Sequence, residues 1–162
     1  MAIEIERKFL LKNAHWRQFA DAGTKMCQGY FDTNGGATVR VRIFGDSAVL
    51  TIKGRLNASG GRSEYEYPIP KSDAEAMLAE FCASRTVEKI RYHVPAGQGR
   101  VWEIDEYGGD NAGLFTAEIE LSSLDEEFDR PEWLGDEVTS DRRYANGSLS
   151  RFPYCRWEQP EA

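Results

Sequence analysis

Ile3-Glu4-Ile5-Glu6-Arg7-Lys8-Phe9 alternates apolar with charged side chains over most of its length. Residues two apart in a strand share a face, so Glu4, Glu6 and Lys8 fall on one side and Ile3, Ile5 and Phe9 on the other. The same pattern recurs down the chain. Arg40 and Arg42 oppose Val39, Val41 and Ile43, while Thr51 and Lys53 oppose Leu50 and Ile52. Arg62, Glu64 and Glu66 are backed by Tyr65, Tyr67 and Ile69, and Lys89 and Arg91 by Ile90 and Tyr92. Glu103 and Asp105 oppose Trp102 and Ile104; Glu118 and Glu120 oppose Phe115, Ala117, Ile119 and Leu121. Period-two reading gives eight strands, at about 3–11, 25–32, 37–44, 48–54, 62–69, 86–93, 100–107 and 115–122. Seven of them pair a charged face with an apolar one.

Turn chemistry separates many of these strands: Asn34-Gly35-Gly36, Gly45-Asp46, Ser59-Gly60-Gly61, Pro95-Ala96-Gly97 and Gly108-Gly109-Asp110-Asn111. Helices are few. Ser72-Asp73-Ala74-Glu75 reads as a capping box, followed by Ala74, Met77, Leu78 and Phe81 at helical spacing. A shorter helix is expected after Asn13, burying Trp16 and Phe19 and ending at Gly23. Another is expected after Thr139 or Ser140, carrying Arg143, Tyr144 and Leu149. One domain spans 1–153, with a loose tail at 154–162.

The 162 residues suffice for one domain with a real core. A net charge of −7 argues against general nucleic-acid binding, which needs a surplus of cations. No run of about 18 apolar residues offers a membrane span. The first residues, Met1 to Glu6, are charged where a signal peptide would be apolar, which points to the cytoplasm. Cys27, Cys82 and Cys155 form no metal or redox spacing and read as reduced thiols. There is no P-loop, no G-x-G-x-x-G and no G-x-S-x-G, and His15 and His93 are too few for a histidine metal site. His93 reads as a strand-end residue. Any chemistry therefore rests on carboxylates, cations and a hard metal.

A charged sheet face can simply be the wet one. Two features favour the interior of a barrel instead. The positions are nearly all charged, where solvated faces mix in Ser, Thr and Gln. Their signs are also blocked by strand. Eight strands can close around a small ligand. The proposed lumen then holds eight acids (Glu4, Glu6, Glu64, Glu66, Glu103, Asp105, Glu118, Glu120) and seven cations (Lys8, Arg40, Arg42, Lys53, Arg62, Lys89, Arg91). Cationic walls suit a polyanion, and clustered carboxylates need protons or a hard cation such as Mg²⁺, Mn²⁺ or Ca²⁺. Together they describe a metal-polyphosphate site.

The chain also resembles a family. Glu4-x-Glu6-x-Lys8 matches the N-terminal E-x-E-x-K signature of the CYTH superfamily, the triphosphate tunnel metalloenzymes. The likeness continues in order through Gln28-Gly29-Tyr30, Val39-Arg40-Val41-Arg42, Thr51-Ile52-Lys53-Gly54, Glu64-x-Glu66, Glu88-Lys89-Ile90-Arg91-Tyr92, Glu118-x-Glu120, and Glu137-Val138-Thr139 leading into Arg143-Tyr144. It implies a mainly β (α+β) fold: an eight-stranded antiparallel closed β-barrel with a few short helices outside. The resemblance implies hydrolysis of a small triphosphate with Mg²⁺ or Mn²⁺, inorganic tripolyphosphate being favoured. Nucleotide cyclisation, thiamine or nucleoside triphosphate hydrolysis, and polyphosphate binding without turnover stay as alternatives.

On this reading Glu4, Glu6, Glu118 and Glu120 are the metal ligands. Glu64, Glu66 and Asp105 hold a second metal or orient water. Lys8, Arg40, Arg42, Lys53, Lys89 and Arg91 contact phosphate, with Arg62 and Arg143 at a tunnel mouth. Tyr30, Trp102 and Tyr144 are packing or mouth residues, and the aromatics as a set are expected to face the apolar outside. The expected partner is a small triphosphate, with no nucleic acid and no membrane. A homodimer is left open.

Overall fold

The alternating segments become strands of one antiparallel sheet in a computed structural model that describes residues 2–157. In chain order they are β1 (Ala2–Glu4), β2 (Glu6–Leu11), β3 (Thr24–Tyr30), β4 (Thr38–Phe44), β5 (Ser47–Lys53), β6 (Arg62–Ile69), β7 (Thr86–Gly97), β8 (Arg100–Tyr107), β9 (Phe115–Glu120) and β10 (Leu134–Glu137). Two α-helices join them, α1 (Lys71–Phe81) and α2 (Asn146–Arg151), together with short 3-10 turns.

The order across the sheet is β1-β6-β5-β4-β3-β7-β8-β9-β2-β10. Its ends meet in a single stretch of chain. The expected first strand breaks at Ile5; its first half pairs with β6 (Glu4 opposite Arg62) and its second half with β9 (Glu6 opposite Glu120). Ile5 continues the second contact, its carbonyl accepting from the Leu121 amide at 2.8 Å. One segment thus touches both edges of the sheet and curls it into an eight-staved tunnel. β10, unanticipated from the sequence, pairs with β2 along the edge that β6 leaves free (Leu134 opposite Leu11). Its Leu-Gly-Asp-Glu lacks alternation, so the period could not reveal it.

The apolar faces point outward and are covered. Phe9, Trp102, Ile104, Ala117 and Ile119 lie under Trp16 of a 3-10 turn, Leu121 and Trp133 of the flanking segments and Leu134 of β10. Ala74, Met77 and Leu78 of α1 pack on Val41, Ala48 and Ile43. The approach is close at Gly29, where a Cβ would lie 2.6 Å from both the Cys82 Cβ and the Leu78 Cδ2. Fully burying side chains of this size stabilises by about 1.5–3 kcal/mol each.

Several expectations are corrected. Ser72 makes no capping box: Pro70 holds the N-cap, without a side-chain cap bond, and Ser72 lies inside α1. Phe81 stays exposed, stacked on Phe31 at 5.4 Å. The helix after Asn13 is a 3-10 turn (His15–Phe19) that buries Trp16 and leaves Phe19 exposed, because five residues present one inward face. Pro95-Ala96-Gly97 does not turn; β7 runs through it and the reversal falls at Gln98-Gly99, both at positive φ. From the expected tail, Tyr154–Arg156 forms a 3-10 turn, and Tyr154 and Trp157 pack beside Tyr30, Val87 and Leu149. Residues 158–162 and Met1 lie outside the described residues. No helix among the described residues is long and apolar enough to cross a membrane.

Candidate active site: a charged tunnel with an apolar floor

Alternation along each stave aims the charged positions at the tunnel. Their depth is graded. The Asp105 and Lys89 side chains are each 1% exposed, whereas Glu103 is 35% and Glu66 45% exposed. Past the deepest charges the inner face turns apolar: Tyr30, Val87, Tyr107 and Leu114 pack with Leu10 around Leu149 of α2. That helix closes one end, so the tunnel has a floor and a mouth. Tyr30 and Tyr107 therefore face inward at the floor, contrary to the expectation that every aromatic faces out. Gln28 Nε2 donates to the Tyr30 hydroxyl at 2.7 Å.

Near the floor, Asp105 is saturated with donors. Its Oδ1 accepts from Arg91 Nε at 2.8 Å, and its Oδ2 from Lys89 Nζ at 2.8 Å and an Arg91 terminal nitrogen at 3.0 Å. Burial would raise the Asp105 pKa, but Arg91 and Lys89 hold it well below the ordinary carboxylate range. Burial, with Arg91 and Arg42 nearby, pushes Lys89 well below the usual lysine value against the pull of Asp105. Lys8 lies 3.4 Å from Glu118 and donates to the Tyr144 carbonyl at 2.9 Å. Burial opposes the Lys8 charge, yet Glu118 and the acids beyond it hold its pKa above normal.

Nearer the mouth, Lys53 donates to both Glu4 oxygens at 3.1 Å and lies 3.3 Å from Glu64. Arg62 reaches Glu4 at 3.8 Å. Thr51 donates to Glu66 at 3.0 Å, with Arg40 3.6 Å from the same carboxylate. Two pairs of acids touch. Glu6 is hydrogen-bonded to Glu118, and Glu4 to Glu64. Burial first, then Glu118 and Glu4, pushes Glu6 well above its ordinary pKa. Glu118 goes the other way: burial would raise it, but Lys8 and the Glu6 hydrogen bond hold it low. Burial and the Glu64 hydrogen bond likewise raise Glu4. Within each pair one carboxyl is pushed towards its neutral form and the other is held as the charged one, an arrangement that a hard cation between the oxygens would relieve. Among the described residues no three His, Cys, Asp or Glu side chains converge on one point. Paired oxygens fit Mg²⁺ or Mn²⁺ nonetheless, since Mg²⁺ is ordinarily held by one or two carboxylates with water and substrate phosphate completing its shell.

Arg42 is the unmatched charge. It gives its Nε to Gln28 Oε1 at 2.8 Å, and among the described residues it makes no ion pair. Burial, then Arg40 and Arg91, pushes its pKa down to about 10. The neighbouring Arg40 Nε is buried without a hydrogen-bond partner. A buried, uncompensated guanidinium is costly unless an anion completes it.

Of the residues singled out in sequence, the structure lines the tunnel with Lys8, Arg40, Arg42, Lys53, Arg62, Lys89, Arg91, Glu4, Glu6, Glu64, Glu66, Asp105 and Glu118. Glu120 lies exposed at the rim, across the ladder from Glu6. Arg143 is not brought to them. Its side chain is 61% exposed, pairs with Asp141 at 2.7 Å, which also caps the turn, and lies 4.9 Å over Trp157. Sequence reasoning missed Gln28, Tyr107 and Asn146 as polar floor residues. Gln28 was findable, being in phase with Met26 and Tyr30 on β3; Asn146 was not, since it lies outside any alternating run.

Fold and site together define a β-tunnel protein whose interior sets buried cations beside paired carboxylates. The chain belongs to the CYTH domain family, whose model matches residues 2–153. It is 40% identical over 159 residues to an inorganic triphosphatase of Acetivibrio thermocellus, covering 98% of this chain and all of that one. It is 35% identical over 153 residues to an inorganic triphosphatase of Nitrosomonas europaea, covering 91% of this chain and 96% of the relative. Among solved structures, a crystal structure of an inorganic triphosphatase aligns with a TM-score of 0.64 at 32% identity, covering 93% of this chain and 96% of that one.

Proposed function

We propose that this chain is a hydrolase of triphosphate anhydride bonds that cleaves inorganic tripolyphosphate to pyrophosphate and orthophosphate with Mg²⁺ or Mn²⁺. The observation that carries this reading is Arg42: a buried guanidinium without a carboxylate, beside an orphaned Arg40 nitrogen, in a tunnel otherwise paired. The names of the relatives support the reaction class. Arg40, Arg42, Lys53, Lys8 and Lys89 hold the phosphates, and Arg forks match phosphate oxygens in pairs. Glu4, Glu6, Glu118 and Glu120 hold the metal. When bound, it polarises phosphate oxygens and offsets their charge. Asp105 has its oxygens committed to Lys89 and Arg91, so it positions these cations, which leaves Glu64 and Glu66 to orient the attacking water. Phosphoryl transfer of this kind is mainly positioning and charge stabilisation.

The bare triphosphate is favoured over a nucleotide by the mouth. Among the described residues Glu64, Glu66, Glu103, Glu120 and Arg62 give it an ionic rim, while the inward-facing Tyr30 and Tyr107 lie at the floor. A base left at the mouth gains little there. The three free cysteines suit a reducing cytoplasm.

Phosphate release from tripolyphosphate, ATP and thiamine triphosphate, with Mg²⁺, Mn²⁺ or EDTA, tests the proposal. The expected outcome is highest kcat/KM on tripolyphosphate, none in EDTA, and no cyclic AMP. Full activity after chelation and dialysis, or a preference for ATP, overturns it.

A further inference from the structure

The floor of the tunnel contains a polar group that neither the helix it starts nor the pairing of charges accounts for. Asn146 is the first residue of α2, and α2 has no side-chain cap bond. Its amide oxygen instead turns into the tunnel, where three donors meet it: Lys89 Nζ at 3.0 Å, Gln28 Nε2 at 3.3 Å and the Tyr107 hydroxyl at 3.3 Å. Gln28 in turn holds Arg42 Nε at 2.8 Å with its own oxygen. One acceptor thus ties the deepest lysine to the unpaired arginine.

The donor count shows the consequence. An ammonium has three N–H groups and no acceptor. At Lys89, Asp105 takes one at 2.8 Å and Asn146 a second. With two directions fixed on a tetrahedral nitrogen, the third is fixed as well. With Asp105 alone, one hydrogen bond holds the rotation about the Lys89 Cε–Nζ bond; Asn146 adds a second restraint and narrows the directions open to the third N–H. The apolar floor formed by Leu149 and its neighbours stops a linear polyanion just beyond this point.

We propose that Asn146 is a positioning residue: it aims the free N–H of Lys89 and so sets the depth at which the innermost phosphate of the chain comes to rest. This rests on the reading of the tunnel as a tripolyphosphate hydrolase. Asn146 works through Lys89 and Gln28. Its effect therefore falls on how well the scissile bond lies against the reacting groups, more than on whether the polyanion binds, since geometric errors of about 1 Å can cost about 10²-fold in rate.

The experiment compares wild type, Asn146→Ala and Asn146→Asp by steady-state kinetics on tripolyphosphate and tetrapolyphosphate, by calorimetric binding of tripolyphosphate, and by thermal melts. Asn146→Ala is expected to lower kcat on tripolyphosphate at least tenfold, with KM and the binding constant within about threefold and the ratio of tripolyphosphate to tetrapolyphosphate rates reduced. Asn146→Asp keeps an oxygen for Lys89, so kcat recovers to near wild type while KM rises, because its charge opposes the polyanion. A structural bond alone would lower Tm without this split or rescue. If Asn146→Ala does not fold, Asn146→Ser, whose oxygen sits one bond short of the ammonium, takes its place with the same expected loss. Wild-type kcat and chain-length ratio in Asn146→Ala, or in Asn146→Ser where it replaces it, overturns the assignment, as does equal loss in Asn146→Asp. A wild type that does not release phosphate from tripolyphosphate overturns the underlying reading instead.

Discussion

Two side chains carry the sharpest consequences at the scale of single residues. Arg42 is held as a cation in a buried place with no carboxylate of its own, and this is the state in which a guanidinium binds an incoming anion most productively. Replacing it by Met keeps the stem and removes the fork. Tripolyphosphate affinity should fall by about tenfold to a hundredfold, matching the 1.5–3 kcal/mol of a charge-assisted bond, as read by calorimetry. Glu6 poses the opposite test. Its carboxyl is already biased towards the neutral form and hydrogen-bonded to Glu118, so Glu6→Gln imitates the proton-bearing state. The fold should persist with its Tm kept or raised, while turnover with Mg²⁺ drops by roughly 10²-fold or more, because the amide cannot exchange its proton for a metal. Wild-type turnover in Glu6→Gln would remove that carboxylate from the site.

At the scale of elements, α1 is seated by an absence. Gly29 lies where β3 passes beneath the end of the helix, and the missing Cβ lets Cys82 and Leu78 approach. Gly29→Ala should destabilise by about 1–3 kcal/mol through overpacking, measured by denaturant melts. Its neighbours Gln28 and Tyr30 face the tunnel, so a lower kcat should accompany the loss. The strands themselves were legible in sequence because a charged tunnel wrapped in apolar cover gives nearly every stave an uninterrupted period of two. Val39–Ile43 and Glu103–Asp105 could be assigned to faces without any structure. Features without a period were hidden. The break at Ile5 is a choice of partners, made by β6 and β9 far along the chain. β10 is a four-residue strand held by the edge of β2. The Ser72 box was a real local signal that lost to Pro70, whose extended backbone starts the helix two residues earlier. Tyr144 reaches the tunnel by a backbone carbonyl to Lys8, while the neighbouring Arg143 side chain pairs with Asp141, a choice of partner that the motif alone does not encode.

At the scale of the molecule, the fold inverts the usual distribution of charge, with cations and acids inside and apolar staves outside under loops and helices. Such an interior is nearly balanced in sign but incompletely paired at Arg42, and on the proposed function a polyanion completes it. Binding that partner should therefore stabilise the whole chain. At a concentration a hundredfold above Kd, a ligand that binds the folded state alone contributes about 2.7 kcal/mol, or roughly 5–10 °C in Tm for a domain of this size. Tripolyphosphate should produce a shift of this order by differential scanning fluorimetry, orthophosphate much less, since a single phosphate brings less charge and fewer oxygens to the tunnel's cations. Salt supplies the control. Added KCl screens the open mouth more than the buried floor, so the shift should shrink with ionic strength without vanishing. In Arg42→Met the shift should be smaller at every salt concentration, because the variant lacks the charge that waits for the anion. An equal shift in Arg42→Met and wild type would mean that the polyanion stabilises the protein from its surface, and the tunnel would lose its claim to the substrate.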